Sequence, residues 1–508
     1  MILSVTLALL FAGTVLLLLH KTHIPEIPAY LFSGWLLSTF TSTAVQRDWV
    51  SETFVQTSIM RELALLGLGI LFFYSATSTV FGFKRVTVTS SLKTSFFVTA
   101  LSLTAFTSAS VMAGFTYYES IIFGVAAAVG STLLDANLVK EEARKNHVYG
   151  WLTEEINLFD TILGLVILSG LFSTDTSTHV VTGVVLCGAV VAAVLFLRNI
   201  VSQKLLQVTD SEDELILLSG IATFIVLVWF TEQIGISALT GIYSAGLLLA
   251  DTELGFRVRE RFSSVKDFFT ALSFFSLGYL LTIPPPQYVG MGVALLLFAS
   301  VVKPLLSTLS LRIQGYDLRT GFLASVQSAQ IPEVTLIAAI LFFPAASNPV
   351  IETVTFAFTG SILLSKVLED KENQIFERVF SSYELDSEKS SLPDHLENQV
   401  ILAGFDWKTQ GLEDHVQGRD VVVVDYDVTN IGVAERRGLP HLLADLNSSN
   451  TWDALDVEQA SLIVSAVGDE QVLDKIDGLE VDAQKITIRE DSEEVKEELR
   501  RLLREALE

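Results

Sequence analysis

The chain has 508 residues, of which 50% are hydrophobic and 18% charged, with a mean hydropathy of +0.50. Soluble domains carry about 25% charged residues, so a wholly soluble globular protein is excluded. The net charge of −25 is concentrated at one end, where residues 370–508 hold 33 acidic and 14 basic side chains; such a tail repels phosphate backbones and excludes nucleic acid as a partner.

The apolar run MILSVTLALLFAGTVLLLLHKTH lacks a basic segment ahead of it and a small-residue cleavage site. It reads as a first membrane helix and not as a signal peptide. A span needs about 20 mostly apolar residues, with allowance for tilt. By that rule helices are predicted near 2–20, 27–43, 62–80, 92–114, 119–138, 152–172, 179–197, 213–231, 235–250, 266–283, 288–311, 318–343 and 350–368. That makes about thirteen spans within residues 1–369. The loops that this count puts on one side hold Lys21, Lys84, Arg85, Lys93, Lys140, Arg144, Lys145, Arg198, Lys204, Arg257, Arg259, Arg261, Lys266, Arg312 and Arg319, against Arg47 and Arg61 on the other. Basic loops stay in the cytoplasm, so the N-terminus is expected outside and the tail inside a cytoplasmic membrane. The single Cys187 lies in an apolar run and supports neither a disulfide nor a metal site.

Polar groups interrupt this apolar background at a few places. A carboxylate near the bilayer centre costs about 2.5–3.5 kcal/mol on insertion scales and usually lines an ion path. Between Phe123 and Leu171 two apolar segments flank a basic connector. The first is broken by Gly130, Ser131 and Thr132, with Asp135 following; the second passes through Glu154, Glu155, Asn157 and Asp160 before turning apolar. Glu154 is close enough to Gly150 to sit at the headgroups, whereas Asp160 lies deep. A second break, Ser328-Ala329-Gln330-Ile331-Pro332-Glu333, falls in the twelfth span, where proline removes a helix donor. Freed backbone in a membrane persists only against a cavity or other protein, and paired broken helices mark the midplane site of inverted-repeat transporters. Lys303, within VALLLFASVVKPLLSTL, is too deep to reach the headgroups easily. It needs a carboxylate partner or a neutral form, and Asp160 is the obvious candidate.

After Leu368 the composition changes. Residues 370–398 are charged and poor in aliphatics, as expected of an amphipathic helix and linker. Within 399–508 the runs QVILAGF, DVVVVDYD, PHLLADL, ASLIVSAVG and KITIRE alternate with helical stretches. Continuous apolar strands separated by helices imply a parallel sheet covered on both faces, hence a Rossmann-like α/β domain. In a dinucleotide-binding domain the first strand runs into G-x-G-x-x-G. Here Gly404 is followed by Phe405, Asp406, Trp407, Lys408 and Thr409, and Asp425 ends the second strand where a ribose-binding acid would stand. Gly404 and Asp425 are thus the candidate cofactor-binding residues, and both a nucleotide-binding and a ligand-free domain fit this turn. No other cofactor is expected.

Over nearly its whole length the chain resembles the cation:proton antiporters of the Kef and NapA type, followed by a TrkA-N-like (regulator-of-potassium-conductance) domain. IPEIPAYLFSGWLLS is similar to their second helix, GSTLLDANLVKEEARKNHVYG to the crossing helix and basic loop, GIYSAGLLLADTE and FRVRERFSSVKDFFTALSFFSLGYLL to later spans, and SVQSAQIPEV to the Kef-like Gln-x-x-Glu segment. The resemblance implies inverted repeats with crossing broken helices, Asp160 as the ion-binding aspartate, Ser131 and Thr132 as the small polar pair of the crossing, Lys303 as the lysine of the electrogenic members, and Gln330 and Glu333 as supports of the site. The residue before the aspartate, usually Asn, Asp or Gln in the family, is Phe159 here, and a register with Thr161 at the essential position is also open. The implied function is not enzymatic: exchange of Na⁺ or K⁺ for protons by a homodimer regulated by its tail. Two alternatives are a ligand-gated potassium channel, for which no TVGYG-type filter run is present, and a transport-inactive nucleotide sensor.

Overall fold

The computed structural model describes residues 25–47, 56–79, 87–131, 148–171, 179–209, 213–316, 318–343 and 348–371, most of 391–507, and a few residues at 13–14 and 375–376. Almost all of the predicted first span, and Thr132 and Asp135, lie outside the described residues. The chain divides into two units. One comprises Met1–Val139, Thr153–Leu306 and Val326–Asp370; the other comprises Lys140–Leu152, Ser307–Ser325 and Lys371–Glu508.

The first unit is helical. Its elements are α1 (Glu26–Gln46), α2 (Thr57–Thr77), α3 (Thr87–Met112), α4 (Tyr117–Ala128), α5 (Val148–Leu171, entering the unit at Thr153), α6 (His179–Thr209), α7 (Asp213–Gln233), α8 (Ala238–Leu249), α9 (Glu253–Leu280), α10 (Pro286–Ile313, leaving it after Leu306), α11 (Leu318–Gln327, of which only the end belongs here), α12 (Glu333–Phe342) and α13 (Pro349–Asp370). Six of these are long and apolar enough to cross a membrane, while α8 and α12 are shorter apolar helices. The count of about thirteen predicted spans is therefore not established by length and hydropathy alone. Helix α9 packs along α1 and α2, and α3 along α4.

Local chemistry explains the irregular places. Thr116 and Glu119 form a capping box that starts α4, with the Thr116 N–H donating to Glu119 Oε2 at 2.8 Å. The helix stops at Ala128, and Val129 is already extended at φ −83° and ψ 151°. The break thus sets in one residue before the expected Gly130. The second break runs from Ser328 to Pro332. Pro332 cannot donate, and it disfavours helical geometry at the residue before it. The Ile331 N–H is taken up instead by the Ser361 hydroxyl of α13 at 3.2 Å. Helix α12 then starts with Glu333, an acid at the positive end of its dipole.

A third irregularity lies in α10. Residues Phe298–Val302 form a π turn, and the Lys303 N–H reaches back five residues to Phe298 O. The next residue is Pro304, which has no N–H and would clash with the carbonyl four residues back in a regular helix. The widened turn accommodates it and immediately precedes Lys303.

The second unit holds a five-stranded parallel sheet of order β3-β2-β1-β4-β5, made of β1 (Val400–Ala403), β2 (Val421–Asp425), β3 (His441–Leu443), β4 (Leu462–Ser465) and β5 (Gln484–Thr487). Alternate strand residues feed two cores, one with Val400, Leu402, Val423 and Val464, the other with Ile401, Ala403, Val424 and Ile463. Each face is covered by helices, as the continuous apolar strands require: α14 (Glu470–Asp477) sends Val472 and Ile476 into the second core, and α15 (Val495–Leu507) sends Leu499 and Leu503 into the first.

Candidate ion-binding site

Midway along α5 the helix carries a run of buried polar residues: Thr153, Glu155, Asn157, Asp160 and Thr161. Asp160 and Lys303 are each 1% exposed and form an ion pair at 2.9 Å through Asp160 Oδ2. The other oxygen, Oδ1, accepts from the Ser95 hydroxyl and from Thr99 Oγ1, the latter at 3.0 Å. A buried ion pair is tolerated only when its remaining valences are satisfied, and breaking one by removing a single partner costs about 3–5 kcal/mol. The two hydroxyls meet that demand.

Helix α3 supplies them because Thr87, Ser91, Ser95 and Thr99 recur every four residues and so share one face. The second pair holds Asp160. The first pair holds another buried carboxylate, with Thr87 Oγ1 donating to Glu155 Oε1 at 2.9 Å and Ser91 Oγ to Oε2 at 2.8 Å. Glu155 is 4% exposed, so it does not sit at a solvated surface.

The broken helices meet beside this pair. Ser131 Oγ donates to Glu333 Oε2 at 2.6 Å, joining the first break to the start of α12. A Cβ added to Gly130 would stand 2.2 Å from Asn157 Oδ1 and 3.4 Å from Lys303 Nζ. Glycine is what lets the backbone of the break lie against α5 and the ammonium group. Gln330 is 2% exposed in the second break, and its Oε1 makes no hydrogen bond among the described residues. Thr161 is buried beside Tyr243 of α8, which also lies in the field of Glu333.

Of the residues singled out in the sequence, Asp160 and Lys303 are in contact, as are Ser131 and Glu333, with Gly130 between the two pairs. Thr132 falls outside the described residues. Sequence reasoning missed Ser95 and Thr99. The four-residue hydroxyl spacing on α3 was a readable signal, although it does not say which carboxylate it serves.

Residues 5–369 match the sodium/hydrogen exchanger, transmembrane, family. The chain belongs to that family. This exchanger-family protein is 24% identical over 479 residues to the putative K(+) efflux antiporter KefB of Alkalimonas amylolytica, covering 89% of this chain and 70% of the relative. It is 23% identical over 493 residues to the putative cation/proton antiporter YbaL of Escherichia coli (strain K12), covering 89% and 84% respectively. Its fold is similar to that of the sodium proton antiporter MjNhaP1 from Methanocaldococcus jannaschii, with a TM-score of 0.52, 18% identity, and coverage of 75% of this chain and 97% of that one. It is therefore an integral membrane protein. The family match ends before the sheet.

In the exchanger's second unit the turn after β1 is occupied by its own side chains. Gly404 takes φ +89°, a conformation suited to glycine. Asp425 is 3% exposed, and its Oδ2 accepts from the Phe405 N–H at 2.6 Å and from Asn430 Nδ2 at 3.0 Å. The Thr409 hydroxyl donates to Gly404 O at 2.7 Å, Gln410 Nε2 donates to Phe405 O at 2.9 Å, and the Lys408 N–H donates to Asp406 Oδ1 at 2.9 Å. Two of the turn's amides are thus bonded to carboxylates, that of Phe405 to the strand-end Asp425 and that of Lys408 to Asp406 within the turn.

Proposed function

We propose that the protein exchanges a monovalent cation, Na⁺ or K⁺, for protons across a cytoplasmic membrane by alternating access. The observation that carries this reading is the buried Asp160–Lys303 pair beside the two helix breaks in a chain of the exchanger family. An incoming cation can take the place of one already there: it displaces the Lys303 ammonium from Oδ2 and competes with a proton for the same carboxylate. Ser95 and Thr99 hydroxyls, Ser131 and backbone oxygens at the break offer the hard oxygen ligands that a small cation needs. Gln330 and Glu333 support the site from the second break. The names of the similar antiporters agree with this exchange.

The loops rich in Lys and Arg favour an outside N-terminus and a cytoplasmic tail, and the tail is read as a regulatory domain of a homodimer. It takes no dinucleotide on this reading. A pyrophosphate needs free backbone N–H groups at the turn, and those of Phe405 and Lys408 are already bonded to carboxylates. The decisive experiment is proton flux in everted vesicles or proteoliposomes, read as fluorescence dequenching on addition of Na⁺, K⁺ or a choline control. Dequenching by Na⁺ or K⁺ alone is the expected result, and its absence with every cation overturns the assignment.

A further inference from the structure

We infer that hydrogen bonds at Arg61, Glu352 and Ser169 form a lock between two groups of helices, and that the lock opens once in every cycle of the exchange proposed above, a reading on which this inference rests. The packing separates the groups. Helix α9 lies along α1 and α2, and α8 lies on α2, α6 and α7. In the other group α3 lies on α4, while α10 and α12 lie on α13. Helix α5 joins this second group through Asp160, which bonds to α3 and α10. Helix α12 also packs on α2, so the half-helix of the second break runs along the seam.

Polar contacts cross the seam at three places. Arg61 of α2 donates from Nη2 to Ile340 O, in the last turn of α12, at 2.7 Å. The last carbonyls of a helix have no partner within it and stand at its negative end, which suits a guanidinium. The bond also gives a reason for a basic residue on the side where Arg and Lys are scarce. Glu352, buried in the first turn of α13, accepts from the Thr282 N–H at 3.1 Å and from the Thr282 hydroxyl, just beyond the end of α9. Ser169 in the last turn of α5 and Thr240 in the first turn of α8 share a hydrogen bond at 2.5 Å, with Cys187 Sγ of α6 3.5 Å from Thr240 Oγ1. Each of these helix ends adjoins a loop that the basic-residue pattern puts outside. Partners at helix ends can let go without unwinding a helix. Arg61 Nε makes no hydrogen bond among the described residues, and water would serve it once the groups part. Contacts made in only one of two states set the balance between them, so these bonds hold the groups in the state closed to the outside.

The direct test is a trap. Ser169→Cys and Thr240→Cys, combined with Cys187→Ala so that no third thiol competes, put two sulfurs where two oxygens are now bonded, within reach of a disulfide. Exchange in proteoliposomes is expected to fall at least about tenfold on oxidation, the loss of one bond's worth of free energy or more, and to return on reduction. Full exchange by protein that mass spectrometry shows to be cross-linked overturns the inference. A second measurement needs neither exchange nor a new bond. Cys187 is the chain's one cysteine and is buried, so its modification by N-ethylmaleimide reports the parting of α5 from α8. Glu352→Gln and Arg61→Gln should each raise the labelling rate about tenfold, the worth of a hydrogen bond to a charged group. Thr41→Val removes a bond inside the first group, that of Thr41 Oγ1 and Tyr279 OH at 3.3 Å, and should leave the rate as it is in the wild type. Unchanged labelling in the first two variants, or an equal rise in the third, sinks the lock. A wild-type protein that exchanges neither Na⁺ nor K⁺ defeats the transport reading itself. Normal wild-type exchange with unchanged labelling defeats the lock alone.

Discussion

Two buried aspartates stand in the two units, and they are held in opposite ways. Asp160 is surrounded by side-chain donors: an ammonium from α10 and two hydroxyls from α3. Asp425 is held by a backbone amide, that of Phe405, and by Asn430 five residues along its own chain. An ammonium on a flexible stem can give way to another monovalent cation, and hydroxyls can turn their lone pairs towards it. A backbone amide cannot leave without unmaking the turn it belongs to. Burial at 1% and 3% exposure is nearly the same in the two cases, so burial does not distinguish the carboxylate proposed to bind an ion from the one that closes a loop. The freedom of its partners does.

The largest effect expected from this contrast is at Asp160. Asp160→Asn keeps the size and an acceptor but removes the charge, and cation-driven proton flux should fall to the background of empty vesicles while the protein still inserts. Retained exchange would move attention to Thr161, Glu155 or Glu333. Asp425→Ala should leave the Phe405 N–H buried and unsatisfied, which costs about 1–3 kcal/mol. Hydrogen exchange on the full-length protein should show faster opening of β1 and its turn, with no comparable change in the helical unit; unaltered protection there would mean that the aspartate is not a latch. Ser95→Ala and Thr99→Ala should each lower exchange by about three- to tenfold, the worth of one hydrogen bond. Either variant at full rate would show that the hydroxyl is only packing. The smallest signal is a null one. Calorimetry of NADH against the full-length protein should give no binding heat up to about millimolar, equivalent to ~4 kcal/mol, and micromolar binding would break the contrast outright.

Much of this arrangement was legible before the fold. Asp160 and Lys303 stood out because each lies deep in a predicted span, and opposite charges at that depth have few other partners. Proline at position 332 announced the second break in chemical terms. The tail's sheet followed from five apolar runs of strand length. What could not be read was which hydroxyls and amides serve the buried carboxylates. The hydroxyls of α3 lie 61 and 65 residues from Asp160, and serine is common enough in membrane helices that its periodicity names a face and not a partner. Nothing in the sequence around Glu155 pointed to Thr87 and Ser91 as its partners. Nor does the one-letter record show that the Asn157 amide oxygen lies against Gly130. The fate of Asp425 was hidden for the same reason: a strand-end acid has the same neighbours in sequence whether it faces a ribose or its own turn.

The brevity of α12 has an electrical consequence. Ten residues of helix rise about 15 Å, half of a hydrocarbon core of about 30 Å. A transmembrane voltage falls across whatever insulates, so wherever water reaches the break at Pro332 the whole drop is compressed into the remaining half. The local field there is about twice that of an intact bilayer, and an elementary charge crossing it still exchanges the full ~2.3 kcal/mol per 100 mV. Membrane potential would then act on a step only a few side chains long.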